Sequence, residues 1–363
     1  MLTRRIGATF AATALCMLPI GVAAHARWFT PPGPWDVPDW SRLWSLPVLV
    51  ALVVALGAVA LLWRLQRLLG DPLWPRPPFL QRLEPSAAAI LGVQTAITMI
   101  FFATRLQLFV PSIQLPANAF GAIVALVTIA AAFTFITGML TRIGAFVTIG
   151  LVLLAFGFTL PSEVFELAVY VGIALYLMAV GRGVVRYSED AEEGDSAPLT
   201  DWLLPRALDI LRIGVGISVL MSAFTEKLVG TALGMEFLAT HPAFNVGRDL
   251  GIGWFTDERF VSTIGVIEAT AGVALLAGFL PRVVILVLWI PFNLGIPFLP
   301  AEELIGHLPI LSTMYVLLVR GTEGVPPRIR ALPQTSEPFP PQRLTDEIEP
   351  ATPGLASAPA ESG

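Results

Sequence analysis

The chain is poor in the residues that most soluble enzymes use for chemistry. It has one cysteine and three histidines, and only 13% of its 363 residues are Asp, Glu, Lys or Arg. The cysteine, Cys16, lies inside the first apolar run, with Leu15 before it where a lipoprotein acceptor would carry a small residue. Removal of that run would leave no thiol, which excludes disulfide exchange, iron–sulfur ligation and cysteine nucleophiles. His25, His241 and His307 cannot by themselves supply a haem pair or a four-ligand zinc cage. One metal reading survives. Cleavage after Ala24 would make His25 the first residue, and its amine and imidazole suit copper(II), whereas cleavage after Ala26 abolishes the pair. No basic patch with interleaved aromatics occurs, so nucleic acid is not an expected partner. Gly214-Val215-Gly216 and Gly251-Ile252-Gly253 follow no strand pattern and are not nucleotide fingerprints.

What is abundant is apolar sequence. Hydrophobic residues make up 55% of the chain, and the charges crowd between long apolar runs. A soluble chain would need roughly twice this charged fraction to cover its surface. Residues 1–24 read as a secretory signal: Arg4 and Arg5 form the basic region, Ile6 to Ile20 the apolar core, and Ala24 or Ala26 the last residue before cleavage. The alternative is an uncleaved first helix. Residues 25–43 are rich in Pro and Trp, which argues against a helix and for aromatics at a membrane interface.

Apolar runs of spanning length follow near 44–63, 87–108, 118–139, 143–160, 164–181, 207–227, 261–280, 283–299 and 303–319. The expected fold class is therefore all-α, a polytopic integral membrane protein in contact with the lipid bilayer. Arg64, Arg67, Arg76 and Arg82 put the loop after the first span in the cytoplasm. Alternation then puts Arg142, Arg182, Arg186, Arg282 and Arg320 there too. This predicts a multi-pass protein of a bacterial inner membrane, mature amino terminus periplasmic and carboxyl terminus cytoplasmic. Residues 184–203, with Glu189, Asp190, Glu192, Glu193 and Asp195, form an acidic cytoplasmic linker. Residues 322–363 form a Pro-rich tail expected to be disordered.

The spans fall into an internal repeat. Gly138-Met139-Leu140-Thr141-Arg142 recurs as Gly278-Phe279-Leu280-Pro281-Arg282. Leu160-Pro161-Ser162-Glu163 recurs as Leu299-Pro300-Ala301-Glu302, and Leu177 with Gly181 as Leu317 with Gly321. Arg105-Leu106 answers Lys227-Leu228 at a shorter offset, because the loop after 228 is longer. Matches in one order point to a tandem, parallel repeat of two four-helix units, 85–183 and 204–321, plus one extra amino-terminal span within 44–84.

The second unit carries Leu211-Arg212-Ile213-Gly214-Val215-Gly216 followed by Glu226-Lys227-Leu228, and Ile267-Glu268-Ala269 leading to Gly278 and Arg282. In these residues it resembles a DoxX-type membrane protein. It covers 204–321 well and 85–183 weakly. That family includes the small subunit of thiosulfate:quinone oxidoreductase. The resemblance implies a membrane subunit, or quinone-side partner, of a redox system, with a bound quinone and a soluble or membrane redox partner. The residues also fit a small-molecule or ion transporter, or a non-catalytic scaffold.

Ionisable groups inside spans are costly and so are candidates for chemistry. Glu268 lies seven residues into its run, about 10 Å deep at the helical rise, and its counterpart in the first unit is Thr128. His307 is the histidine in a span, four residues after Glu303 on the same helix face, and its counterpart is Leu167 or Ala168. Glu268 and His307 are the expected catalytic pair, with Lys227, Glu226 and Glu303 lining the ligand pocket. For Lys227 and Glu226 the bland reading is snorkelling to the interface from a helix end. The loop 228–260, with Met235, Phe237, Leu238, Phe244, Trp254 and Phe255, is expected to fold as a cap.

Overall fold

The computed structural model describes residues 26–30, 33–71, 73, 75–181, 202–294 and 301–321. The signal-like start with Cys16 and His25, most of the acidic linker, Leu299-Pro300 and the tail lie outside these residues, as does the side chain of Glu303. Among the described residues the fold is all-α. The helices are α1 (Ala26–Phe29), α2 (Leu46–Leu69), α3 (Pro78–Ala103), α4 (Ala119–Thr137), α5 (Thr141–Leu154), α6 (Pro161–Glu166) and α7 (Ala168–Val180), then α8 (Ala207–Ala223), α9 (Thr231–Thr240), α10 (Val246–Asp249), α11 (Asp257–Ala277), α12 (Pro281–Leu294) and α13 (Ala301–Arg320).

Every expected apolar run contains a helix, and the boundaries carry ordinary chemical causes. The Asn118 side chain accepts the amide of Gly121 at the start of α4, and the Thr256 side chain accepts that of Arg259 at the start of α11. Gly138 and Gly278 end the same two helices in the left-handed region, at φ 78° and 75°. Leu140 and Leu280 follow at φ 53° and 46°, so both Gly-x-Leu-x-Arg turns have one local shape. Five helical segments are long and apolar enough to cross a membrane: Leu46–Leu69, Pro78–Ala103, Ala119–Thr137, Leu204–Leu228 and Asp257–Ala277. Two of the others are interrupted. The run at 164–181 breaks at Leu167, and that at 143–160 tightens into a 3-10 turn at Ala155–Gly157.

The helices close a ring in which α3, α4, α5, α7, α8, α11, α12 and α13 each pack on the next, and α13 returns to α3. One apolar core runs through both halves of the chain, from Ala87 to Leu317. Small residues set the closest crossings. A methyl added to Gly214 in α8 would stand 2.8 Å from the Ala168 carbonyl and 3.0 Å from the Gly172 Cα in α7. Helix α2 stands outside the ring and packs on α11 through Val48, Ala51 and the residues around Ala269. Its other face is exposed and apolar, with Leu52, Val53 and Leu56 uncovered.

Chain ends of alternate helices meet on two opposite faces. On one, the Asp39 amide bonds the Val229 carbonyl and Arg27 reaches Glu163. On the other, the Leu280 amide bonds Gln66, and the guanidinium of Arg282 pairs with Asp71 at 2.6 Å while donating to the carbonyls of Leu318, Val319 and Arg320. Arg282, expected as a cation at the interface, is 1% exposed. Its planar fork, with several donors, ties three chain segments together.

Candidate functional site

The site begins with a defect in a helix. After Ala223, α8 widens into a π-helical turn over Phe224–Leu228. The extra residue per turn lets consecutive side chains fan to different neighbours, and such bulges concentrate at functional sites. Here it carries Thr225, Glu226 and Lys227, all at 1% exposure or less.

Each of the three has a separate partner. The Thr225 hydroxyl meets the Glu166 carboxylate from α6. Glu226 Oε2 accepts the Ala26 amide at 3.0 Å and the Ser222 hydroxyl at 3.4 Å. Lys227 Nζ lies 2.9 Å from Glu268 Oε2 on α11 and 3.4 Å from Glu226 Oε2. Glu226 and Lys227 do not snorkel, the bland reading for charges at a helix end, because α9 continues the chain over them and α1 covers Glu226. Glu268 is buried, as its depth in the run implied.

The start of the Pro- and Trp-rich segment enters the bundle, while Trp40 and Trp44 further along are exposed. Residues 26–29 form one helical turn, and Pro34–Asp36 and Trp40–Trp44 form 3-10 turns. Proline tolerates the first position of such a turn, so a Pro-rich stretch still permits short ones. Arg27 donates to Glu163 at 2.7 Å and to the Asp36 carbonyl at 3.1 Å. Its remaining Nε and Nη2 are buried with no hydrogen-bond partner among the described residues. Burial pushes the Arg27 pKa down, but Glu166, Glu163, Glu226 and Asp36 together carry it above the usual arginine range. The guanidinium therefore stays charged.

Trp28 packs against His307, with ring centroids 5.4 Å apart, and edge-on to Phe102 at 6.5 Å. The sequence placed His307 beside Glu268 and Lys227. In the fold, Lys227 and Glu268 are in direct contact, while His307 packs on Trp28. The cap forms as expected, with Leu233, Phe237, Leu238 and Phe244 buried against Phe260, Val261, Ile264 and Ala26.

Two cavities flank this segment. A narrow slot of about 20 Å³, room for a single water, is lined by Trp28, Leu167, Val169, Tyr170, Ile310 and the carboxylates of Glu163 and Glu166, among others. A wider cleft of about 550 Å³ has Arg27, Asp36, Gln107, Ser112, Thr159 and Glu163 in its walls. Neither is lined by Glu268 or His307. Glu163 and Glu166, which line the slot, lie outside residues 204–321, whereas Glu226, Lys227 and Glu268 lie within them.

Sequence reasoning missed Arg27, Trp28, Glu163 and Glu166. Arg27 and Glu166 belong to no motif in the sequence, Trp28 counts only within a Pro- and Trp-rich stretch, and Glu163 only within a repeat match. One signal was available for Lys227: it is the only lysine in the sequence, against 21 arginines. An ammonium kept at one position, in a chain that otherwise uses guanidinium, marks that position. Among the described residues no cluster of three His, Cys, Asp or Glu side chains is placed to hold a metal ion. No family model, curated protein or solved structure matches the chain.

Proposed function

We propose that this chain is a multi-pass inner-membrane protein of the DoxX type, acting as the membrane subunit or quinone-side partner of a redox system. The observation that carries the reading is the π-helical turn that sets Glu226 and Lys227 against Glu268, almost entirely out of solvent. Ionisable groups so placed are expensive in an apolar bundle and are characteristic of proton handling. A parallel duplication of four helices belongs to the same proposal. It is supported by the matched turns at Gly138 and Gly278, and by the reciprocal packing of α7 on α8 and of α13 on α3.

The lining has the chemistry of a quinone site, and a ring would enter by widening the slot between Trp28 and Ile310. The slot beside the network has apolar and aromatic walls, and Glu163 and Glu166 supply its polar edge. A quinone contributes two-electron chemistry coupled to protons. In this reading the protein's own task is to admit the ring between Trp28 and Ile310, exclude water from it, and hold protons on Glu166 and Glu163. Thr225 links Glu166 to the turn that bears Glu226 and Lys227.

The test is saturable binding of a short-chain quinone analogue by purified protein in nanodiscs, read by tryptophan quenching, with Trp28→Phe and Glu166→Gln beside the parent. Weaker binding in both variants is expected. No saturable binding, together with no quinone in the extracted lipids, would overturn the proposal. The polar cleft ending at Arg27 and Glu163 favours a second reading, a small-solute transporter coupled to protons. Solute-driven proton movement in proteoliposomes would select it.

A further inference from the structure

The residues that follow the signal-like region lie where a ligand for the charged turn would lie. Ala26 is fully buried in the apolar patch of Leu233, Phe237 and Phe260, and its amide bonds the Glu226 carboxylate. Arg27 is inserted between the acids, Trp28 fills the space between His307 and Phe102, and the Thr30 hydroxyl bonds back to the Ala26 carbonyl. Asp36 closes the run by bonding the Gly33 amide and presenting its carbonyl to Arg27. Trp28 lines both cavities, and so does Glu163, the partner of Arg27. The Arg27–Glu163 pair and the Trp28 ring therefore form the partition between the open polar cleft and the interior slot.

We propose that residues 26–30 and 33–36 are a strap that seals the interior slot and the Glu226–Lys227–Glu268 network from the polar cleft, and that its release opens a route between them. The strap has the character of a removable part. It is held by polar contacts to acids on separate elements, Glu163 on α6 and Glu226 on the π-helical turn, and one edge of its guanidinium has no partner among the described residues. A buried charged donor left unsatisfied makes the closed state less favourable than a fully bonded one. The large core of the ring, from Ala87 to Leu317, does not include the strap, whose apolar contacts are Ala26 in the smaller patch and Trp28 on His307 and Phe102. The proposal rests on the charged turn assigned under the proposed function, but not on what that turn carries.

The single lysine gives a direct readout. Full-length protein in nanodiscs is treated with N-hydroxysuccinimidyl acetate, and acetylation of Lys227 is followed by peptide mass spectrometry, with the chain unfolded in dodecyl sulfate as the full-labelling reference. The parent should resist labelling. Combined Arg27→Ala and Trp28→Ala should label about tenfold faster or more, as protection follows the opening equilibrium. Glu163→Gln, which weakens the strap's anchor without touching the strap, should move in the same direction, and Trp28→Phe should stay protected. Should the strap variant fail to fold, Glu163→Gln alone decides. Rapid labelling of the parent would overturn the proposal, and so would variants as protected as the parent. Quinone binding is read separately, so its failure leaves this result standing.

Discussion

Lys227 and Glu268 meet at 2.9 Å, although one belongs to the end of a helix and the other to the middle of its neighbour. The contact exists because the π-helical turn holds the chain inside the bundle for one more residue than an α-helix would, and because Gly265, one turn before Glu268, lets the backbone of Lys227 approach. A methyl at Gly265 would stand 3.0 Å from the Lys227 Cβ. Glu226 shares the ammonium, so one cation serves two carboxylates.

That sharing predicts unequal single substitutions. Lys227→Met strands two buried carboxylates and should cost about 3–5 kcal/mol, the range for breaking one side of a buried pair. Glu268→Gln leaves Lys227 with Glu226 and should cost less. The double variant should be more stable than Lys227→Met alone, giving a favourable coupling energy in a double-mutant cycle. Denaturant titration in detergent measures all three. Additive effects would mean that the two side chains do not interact.

On the opposite face, Arg282→Ala should destabilise by about 3 kcal/mol or more, because Asp71 would be left buried without its cation. Arg282→Lys should recover little, since a single ammonium cannot replace a planar fork shared among Asp71 and three carbonyls. A lysine variant with parental melting behaviour would refute the clamp.

Much of this fold was legible in one dimension. Apolar runs mark each long helix, and Gly138 and Gly278 mark helix ends because only a residue tolerant of positive φ suits them. Glu268 could be singled out because a carboxylate in the body of a run must be buried or paired. The rest depends on contacts that no local pattern encodes. Ala26 and Glu226 are 200 residues apart, and Arg27 and Glu163 are 136 apart. A lysine at a helix end looks the same in sequence whether it snorkels or turns inward. The π-helical turn decides which, and it has no periodicity of its own over five residues.

Alternation of the chain ends predicts sidedness. With Cys16→Ser as background, Trp44→Cys and Met139→Cys place single thiols at positions 83% and 58% exposed, before α2 and between α4 and α5. An impermeant maleimide should label the first in intact cells and the second only after permeabilisation. Labelling of both from the same side would break the proposed topology.

The final prediction separates chemistry from scaffolding. Thr128 and Glu268 are counterparts in the proposed repeat, and both are buried. The Thr128 hydroxyl bonds only backward, to the Val124 carbonyl at 2.8 Å in its own helix, so Thr128→Val removes no contact between helices. Glu268 holds the ammonium of a network that joins α11, the π-helical turn, α1 and, through Arg27 and Thr225, α6. In a quinone-coupled assay at matched protein levels, Glu268→Gln and Glu166→Gln should lower turnover by about a hundredfold, the lower end of what a positioned proton donor or acceptor contributes. His307→Ala should act mainly on apparent quinone affinity, because His307 supports Trp28 and Trp28 forms a wall of the slot. Thr128→Val should stay within about twofold of the parent, as expected for a side chain outside the proton-handling groups. If Thr128→Val proves as damaging as Glu268→Gln, loss of packing explains both, and the buried charges are structural.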